Sequence, residues 1–125
     1  MAVKIKADEL AIEIQRTLKE YSSEVAEGLK KETRRVAKKT VARLKATSPK
    51  KSGEYASGWG SVTELESADE IRIAVRNRKK PQLTHLLENG HAIATGGRVA
   101  GQPHIRPADE AAQAELIKGV EDTIK

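Results

Sequence analysis

The stretch Leu83-Thr84-His85-Leu86-Leu87-Glu88-Asn89-Gly90-His91, continued by Gly96-Gly97-Arg98-Val99-Ala100-Gly101-Gln102-Pro103-His104-Ile105-Arg106-Pro107-Ala108, decides how the chain is divided. Four glycines (Gly90, Gly96, Gly97, Gly101) and two prolines (Pro103, Pro107) fall within it. Glycine opens backbone conformations that other residues avoid, and proline fixes one dihedral, so this density predicts a defined loop path between two apolar anchors. Residues 81–89 read as a short helical turn with Leu83, Leu86 and Leu87 facing inward, and the Gly-rich loop follows, so that 81–108 is one unit. Ile105-Arg106-Pro107-Ala108 reads as a short edge strand. From Asp109 to Ile124, Ala112, Leu116, Val120 and Ile124 recur at four-residue steps, which predicts a C-terminal helix. Asp109 and Glu110 suit the positive start of that helix.

Upstream, residues 7–46 read as one long helix. Leu10, Ile14, Leu18, Tyr21, Val25, Leu29, Val36, Thr40 and Leu44 recur at three- and four-residue steps, and no proline intervenes before Pro49. Such a helix would span about 60 Å, so part of it is expected to project or to pack on another subunit. Gly28 could mark a bend, and one bent helix and two helices both remain open. Thr47-Ser48-Pro49-Lys50-Lys51-Ser52-Gly53 ends it. Residues 55–77 read as a hairpin. Its first strand, Tyr55 to Leu65, is weakened by Gly58 and Gly60. Its second, Glu70 to Asn77, alternates Ile71, Ile73 and Val75 with Arg72, Ala74 and Arg76, the period-two pattern of a half-buried strand. Glu66-Ser67-Ala68-Asp69 would connect them.

The chain of 125 residues fits one domain, spanning 1–125. Its core must be lean: there is no Phe, one Trp (Trp59) and two Tyr (Tyr21, Tyr55), 33 % of residues are charged, and the mean hydropathy is −0.58. Aliphatic side chains bury less area than aromatics, and small domains bury a modest share of their surface. Both facts favour a subunit that borrows burial from neighbours, with a marginal monomer as the alternative. The absence of cysteine excludes disulfides and Cys-based zinc sites. No signal-peptide core and no apolar run of about 20 residues occurs, so no membrane partner is expected.

The net charge of +5 is unevenly spread: residues 28–51 hold ten Lys/Arg and one acid (Glu32), net +9, leaving −4 elsewhere. At 100° per residue, Lys30, Lys31, Arg34, Arg35, Lys38, Lys39, Arg43 and Lys45 share one broad arc of the helix. Leu29, Thr33, Val36, Ala37, Thr40, Val41 and Leu44 share the opposite one. The basic arc could meet a phosphate backbone, an acidic neighbour subunit, or only solvent. Base-specific recognition lacks interleaved aromatics and any DNA-reading motif.

Chemistry-bearing patterns are weak. His85, His91 and His104 flank the loop, but spacings of six and thirteen residues match no zinc motif. His85 and Glu88, three apart on a helical turn, read equally well as a polar pair. Gly96-Gly97-Arg98-Val99-Ala100-Gly101 lacks the Gly-Lys-Ser/Thr ending of a phosphate loop. No serine sits in a nucleophile elbow. The reading is therefore no enzyme, no catalytic residue, no metal, no cofactor and no small-molecule substrate.

Three segments together resemble a known family. These are Leu83 to His91, Gly96 to Val99 with Pro103 to Ala108, and the basic helix running into Ser48-Pro49-Lys50-Lys51-Ser52-Gly53-Glu54-Tyr55-Ala56-Ser57-Gly58-Trp59. They are similar to the small tail-component or neck proteins of Hong Kong 97-type siphophages, which also go by minor capsid and tail-completion proteins. The resemblance extends over roughly residues 10 to 124. It implies a virion building block that joins head to tail or completes the tail as a ring around the channel that DNA traverses. It implies no catalytic site. The positions it carries over are structural: Glu88, Gly90, His91, Gly97, Arg98, Gly101, Pro103 and His104, with Pro107 closing the loop.

The combined expectation is an α+β fold, with a long N-terminal helix and a C-terminal helix packed on a small antiparallel sheet of three to four strands. The expected function is structural, in the virion and in the host cytoplasm during assembly, with copies of itself and other neck and tail proteins as partners. Contact with passing DNA is a further expectation for the basic face. The rival readings are a nucleic-acid-binding accessory protein using that face, and a metal-dependent hydrolase built on His85, His91 and His104.

Overall fold

The computed structural model describes residues 2–5, 9–14, 21–50, 53–68 and 70–124. In chain order its elements are β1 (Ala2–Ile5), β2 (Glu9–Ile14), α1 (Ser23–Thr47), α2 (Glu54–Ser57), β3 (Trp59–Glu66) and β4 (Ile71–Asn77). A 3₁₀ turn (Pro81–Leu83), α3 (Thr84–Asn89), β5 (Gly90–Ala92), β6 (Arg98–Ala100) and α4 (Ile105–Ile124) follow. The fold is α+β. An antiparallel sheet of four strands runs in the order β1-β2-β4-β3, and β5 and β6 form a separate hairpin.

Alternation decides the sheet. On β4, Ile71, Ile73 and Val75 are buried, while Arg72 and Arg76 are only half covered. Leu10 and Ile12 of β2 lie opposite Val75 and Ile73 and are fully buried. That apolar face receives α1 and α4 through Leu29, Val36, Leu44, Ile105, Ala108, Ala112, Leu116 and Val120. Each large aliphatic side chain buried here contributes roughly 1.5–3 kcal/mol. The alanines of α4 contribute less and bring its backbone close.

The helix expected over 7–46 is shorter. Residues 9–14 are strand, residues 15–20 lie outside the described residues, and α1 begins at Ser23. Leu10, Ile12 and Ile14 alternate as well as Leu10, Ile14 and Leu18 step by four, and pairing of β2 between β1 and β4 settles the ambiguity. Ser22 caps α1, its hydroxyl accepting the Val25 N–H at 3.3 Å. At 25 residues the helix is about 37 Å long and lies along the sheet instead of projecting from it. It is also unbroken at Gly28. A Cβ there would stand 2.9 Å from Thr123 Cγ2, so that glycine admits α4 at the helix crossing.

Two further expectations change. Tyr55 opens no strand: residues 54–57 are a helical turn and β3 begins at Trp59. Ile105 to Ala108 is no edge strand but the first turn of α4, where Pro107 is tolerated because a first-turn N–H needs no intrahelical partner.

Candidate functional site

Glu88 lies in the last turn of α3, and its carboxylate turns onto the start of α4. Oε1 accepts the backbone N–H of His104 at 2.6 Å and of Ile105 at 2.7 Å, and Oε2 accepts that of Arg106 at 3.0 Å. These are the N–H groups that a helix start leaves without partners, and a carboxylate there also faces the positive end of the helix. Burial, the largest influence, pushes the Glu88 carboxyl up. The three N–H donors and the neighbouring imidazole outweigh it, and the group is held below the usual carboxylate range.

His104 is buried beside it, 1 % exposed. Its Nδ1 lies 2.8 Å from the Gln102 carbonyl and 3.0 Å from Glu88 Oε1. Both neighbours are acceptors, so Nδ1 carries the hydrogen and Nε2 accepts from the Tyr55 hydroxyl at 2.7 Å. Burial pushes the Tyr55 hydroxyl up to about 12, and the Glu88 charge adds to the effect. Edge-on ring contacts join Tyr55 to Trp59 at 5.7 Å and to His104 at 5.5 Å. The Trp59 indole N–H donates to Ser48 Oγ at 2.8 Å, and Asn77 Nδ2 donates to the Tyr55 carbonyl at 2.6 Å. A hydroxyl, an imidazole and a carboxylate in series resemble a nucleophile with its base. Here Tyr55 and His104 are sealed from solvent, and what the series does is tie α2, β3 and α3 to the start of α4.

The glycine-rich stretch divides into a braced root and a bare arm. At the root, a Cβ on Gly90 would collide with the Val99 carbonyl, and one on Gly101 with the Glu88 carbonyl. Gly90 also has φ 77° and ψ 179°, a region that belongs to glycine. Arg98 Nη2 donates to the Asn89 carbonyl at 2.9 Å, and the Gln102 N–H donates to the Leu87 carbonyl at 2.7 Å. Pro103, exposed, leads from Gln102 to His104. His91 is half-buried on β5, opposite Val99. Beyond the root, every residue from Ala92 to Ala100 is exposed, and Gly97 stands at the tip with φ 90°.

The three histidines do not converge. His85 is exposed on α3, and His104 is buried against Tyr55. Among the described residues no group of His, Asp and Glu is placed to hold a metal ion.

The basic arc of α1 is partly neutralised by acids from other elements. Lys30 is buried, 3.6 Å from both Glu27 and Glu66. Arg34 makes two bonds to Glu66, at 2.8 and 2.7 Å. Arg35 pairs with Glu32 at 2.8 Å and with Glu115 at 3.4 Å, and Lys39 pairs with Glu115 at 3.1 Å. These cations hold the Glu66 and Glu115 carboxyls below their ordinary range. Lys31, Lys38, Arg43 and Lys45 are exposed and have no carboxylate partner among the described residues.

Sequence reasoning missed Tyr55, Trp59, Ser48 and Asn77 as partners of the root. A chain with so few aromatics, two of them within five residues at 55–59, carried the available signal.

Compared with known families, residues 12–90 match the HK97-gp10-like family, described as "Bacteriophage HK97-gp10, putative tail-component". The match runs from within β2 to Gly90, so the arm and α4 lie beyond it. No curated protein and no solved structure matches the chain.

Proposed function

This chain belongs to the HK97-gp10-like family of bacteriophage tail components, and from that premise we propose that it joins head to tail, or completes the tail, by assembling as a ring at the phage neck. A tail component is a structural protein of the virion, and its partners are other tail and neck proteins. No described helix is long and apolar enough to cross a membrane. In the proposed role the whole chain acts as one domain, built in the host cytoplasm and incorporated into the neck.

The observation that carries the reading is the contrast between root and arm. Glu88, Gly90, His91, Gly97, Arg98, Gly101, Pro103 and His104 are committed to holding or forming a hairpin whose residues from Ala92 to Ala100 are all exposed. Fixing a backbone costs about 1–2 kcal/mol per residue, and a projecting hairpin returns little of that to the isolated molecule. A neighbouring subunit, or the channel content, would return it.

Gly97→Val tests this reading, because φ 90° strains any side chain at that position. The expected result is a folded monomer in place of a ring by multi-angle light scattering. Rings of unchanged mass would remove the arm from the interface.

A second reading rests on Lys31, Lys38, Arg43 and Lys45, whose charge no acid takes up among the described residues. They would meet passing DNA or an acidic neighbour. A duplex titration over salt separates the two, since steep salt-dependent affinity of the isolated protein marks phosphate binding.

A further inference from the structure

Large apolar side chains are exposed at three places: Val62 and Leu65 on β3, Ile93 and Val99 on the arm, and Ile117 and Ile124 on α4. On the arm, His91 lies opposite Val99. Side chains alternate between faces, so Ile93 shares a face with Val99. On α4, Ile117 and Ile124 are two turns apart and fall on one stripe. That stripe is separate from the buried one of Ile105, Ala108, Ala112, Leu116 and Val120.

The charges around these two patches are opposite in kind. From Asn89 to Ala108 the chain has no carboxylate and carries Arg98 and Arg106. The α4 stripe is flanked by Glu110 and Glu121, and neither pairs with a cation among the described residues. The β3 patch differs, because Glu64 there is already tied to Arg72 and Arg76. The β3 edge is further interrupted by a bulge between Thr63 and Leu65, and Arg78 covers the Ser61 carbonyl.

The arm cannot cover its own α4 stripe. It springs from the start of α4, whereas Ile117 and Ile124 lie about 18 and 28 Å further along the helix axis. The root fixes it against α3.

We infer that the arm of one copy docks, through Ile93 and Val99, on the Ile117–Ile124 stripe of α4 in a second copy. This rests on the ring reading and names its contact. The two surfaces differ and sit at opposite ends of one helix, so the contact is heterologous and propagates from copy to copy until a ring closes. Each contact is small. In a closed ring every subunit is held twice, which multiplies the effective concentration.

Ile93→Asp and Ile117→Lys, both at exposed positions, test the pairing by light scattering beside a thermal melt. Each variant alone is expected to run at monomer mass where the natural chain is assembled, with a melt that matches the natural chain diluted to monomer. An equal mixture should regain the assembled mass, because the introduced carboxylate then meets the introduced ammonium while the other two partners remain natural. Assembly of either variant alone at natural strength overturns the arm-to-α4 contact and leaves the ring standing. Two monomeric variants with no recovery on mixing overturn the pairing of these two patches. A natural chain that stays monomeric at every concentration overturns the ring itself.

Discussion

The cationic face of α1 and the root of the arm are both dense in charge, but they are wired differently. Against α1 two carboxylates from other elements are each shared between cations, Glu66 between Arg34 and Lys30, and Glu115 between Arg35 and Lys39. Apart from the buried Lys30 these groups reach solvent, and water screens such pairs. At the root a single carboxylate serves three backbone N–H groups and an imidazole. The first arrangement tolerates losing any one member, and the second does not. A charged surface is therefore a poor guide to where a small domain is vulnerable, and a lone buried cap is a good one.

The sharpest way to break that contrast is at Gly90. Gly90→Ala places a Cβ against the Val99 carbonyl in a glycine-only conformation, so the expected loss is about 2–4 kcal/mol by urea unfolding. A loss within error would mean that the root relaxes freely and is not braced. Next comes Glu88→Ala, which strands the part-buried N–H groups of His104 and Ile105 and should cost roughly 1–3 kcal/mol. The pH dependence carries the same signature. The carboxyl is held below its ordinary range in the folded chain. Its contribution is therefore fully present above the ordinary carboxylate pKa of about 4.3 and fades as the pH falls through the lower, folded value. Acid titration of stability should show that decline in the natural chain and a shallower one in the variant. Equal slopes would remove Glu88 from the root.

A smaller effect is expected of Tyr55→Phe. It leaves His104 Nε2 without its donor at 2.7 Å, at a cost of about 1 kcal/mol, and an unchanged urea midpoint would show that the hydroxyl is not needed there.

How much of this could be read from residues differs between the two regions. The alternation of Ile71, Ile73 and Val75 and the sorting of α1 into an apolar and a basic arc are local and periodic, and both were legible except at Lys30, which is buried. The family was legible too, although its match stops at Gly90 and the resemblance read from the residues extends to about residue 124. The first strand pair was not legible, because Leu10 and Ile14 fit a helix step while Leu10, Ile12 and Ile14 fit a strand, and only partners in the sheet decide. The start of α4 was hidden for a related reason. Ile105-Arg106-Pro107 looks extended until a carboxylate sixteen or more residues earlier supplies its cap. The neutralisation of Lys30, Arg34, Arg35 and Lys39 depends on Glu66 and Glu115, which are remote in sequence.

The smallest effect on stability is expected where the remaining cations stand free. Lys31, Lys38 and Lys45 are seven residues apart on α1 and exposed, so the three fall on one line along the helix, about 10.5 Å from each to the next. Replacing all three with Gln should change the unfolding free energy by no more than about 0.5 kcal/mol per site, since none has an acid partner among the described residues. The same triple change discriminates between uses of the face. If these ammonium groups meet phosphates, the slope of log K against log salt should fall by up to about 0.9 per lysine removed. An unchanged slope would leave the face to a protein neighbour or to water. A large loss of stability would show instead that the face is part of the scaffold, and the contrast with the root would disappear.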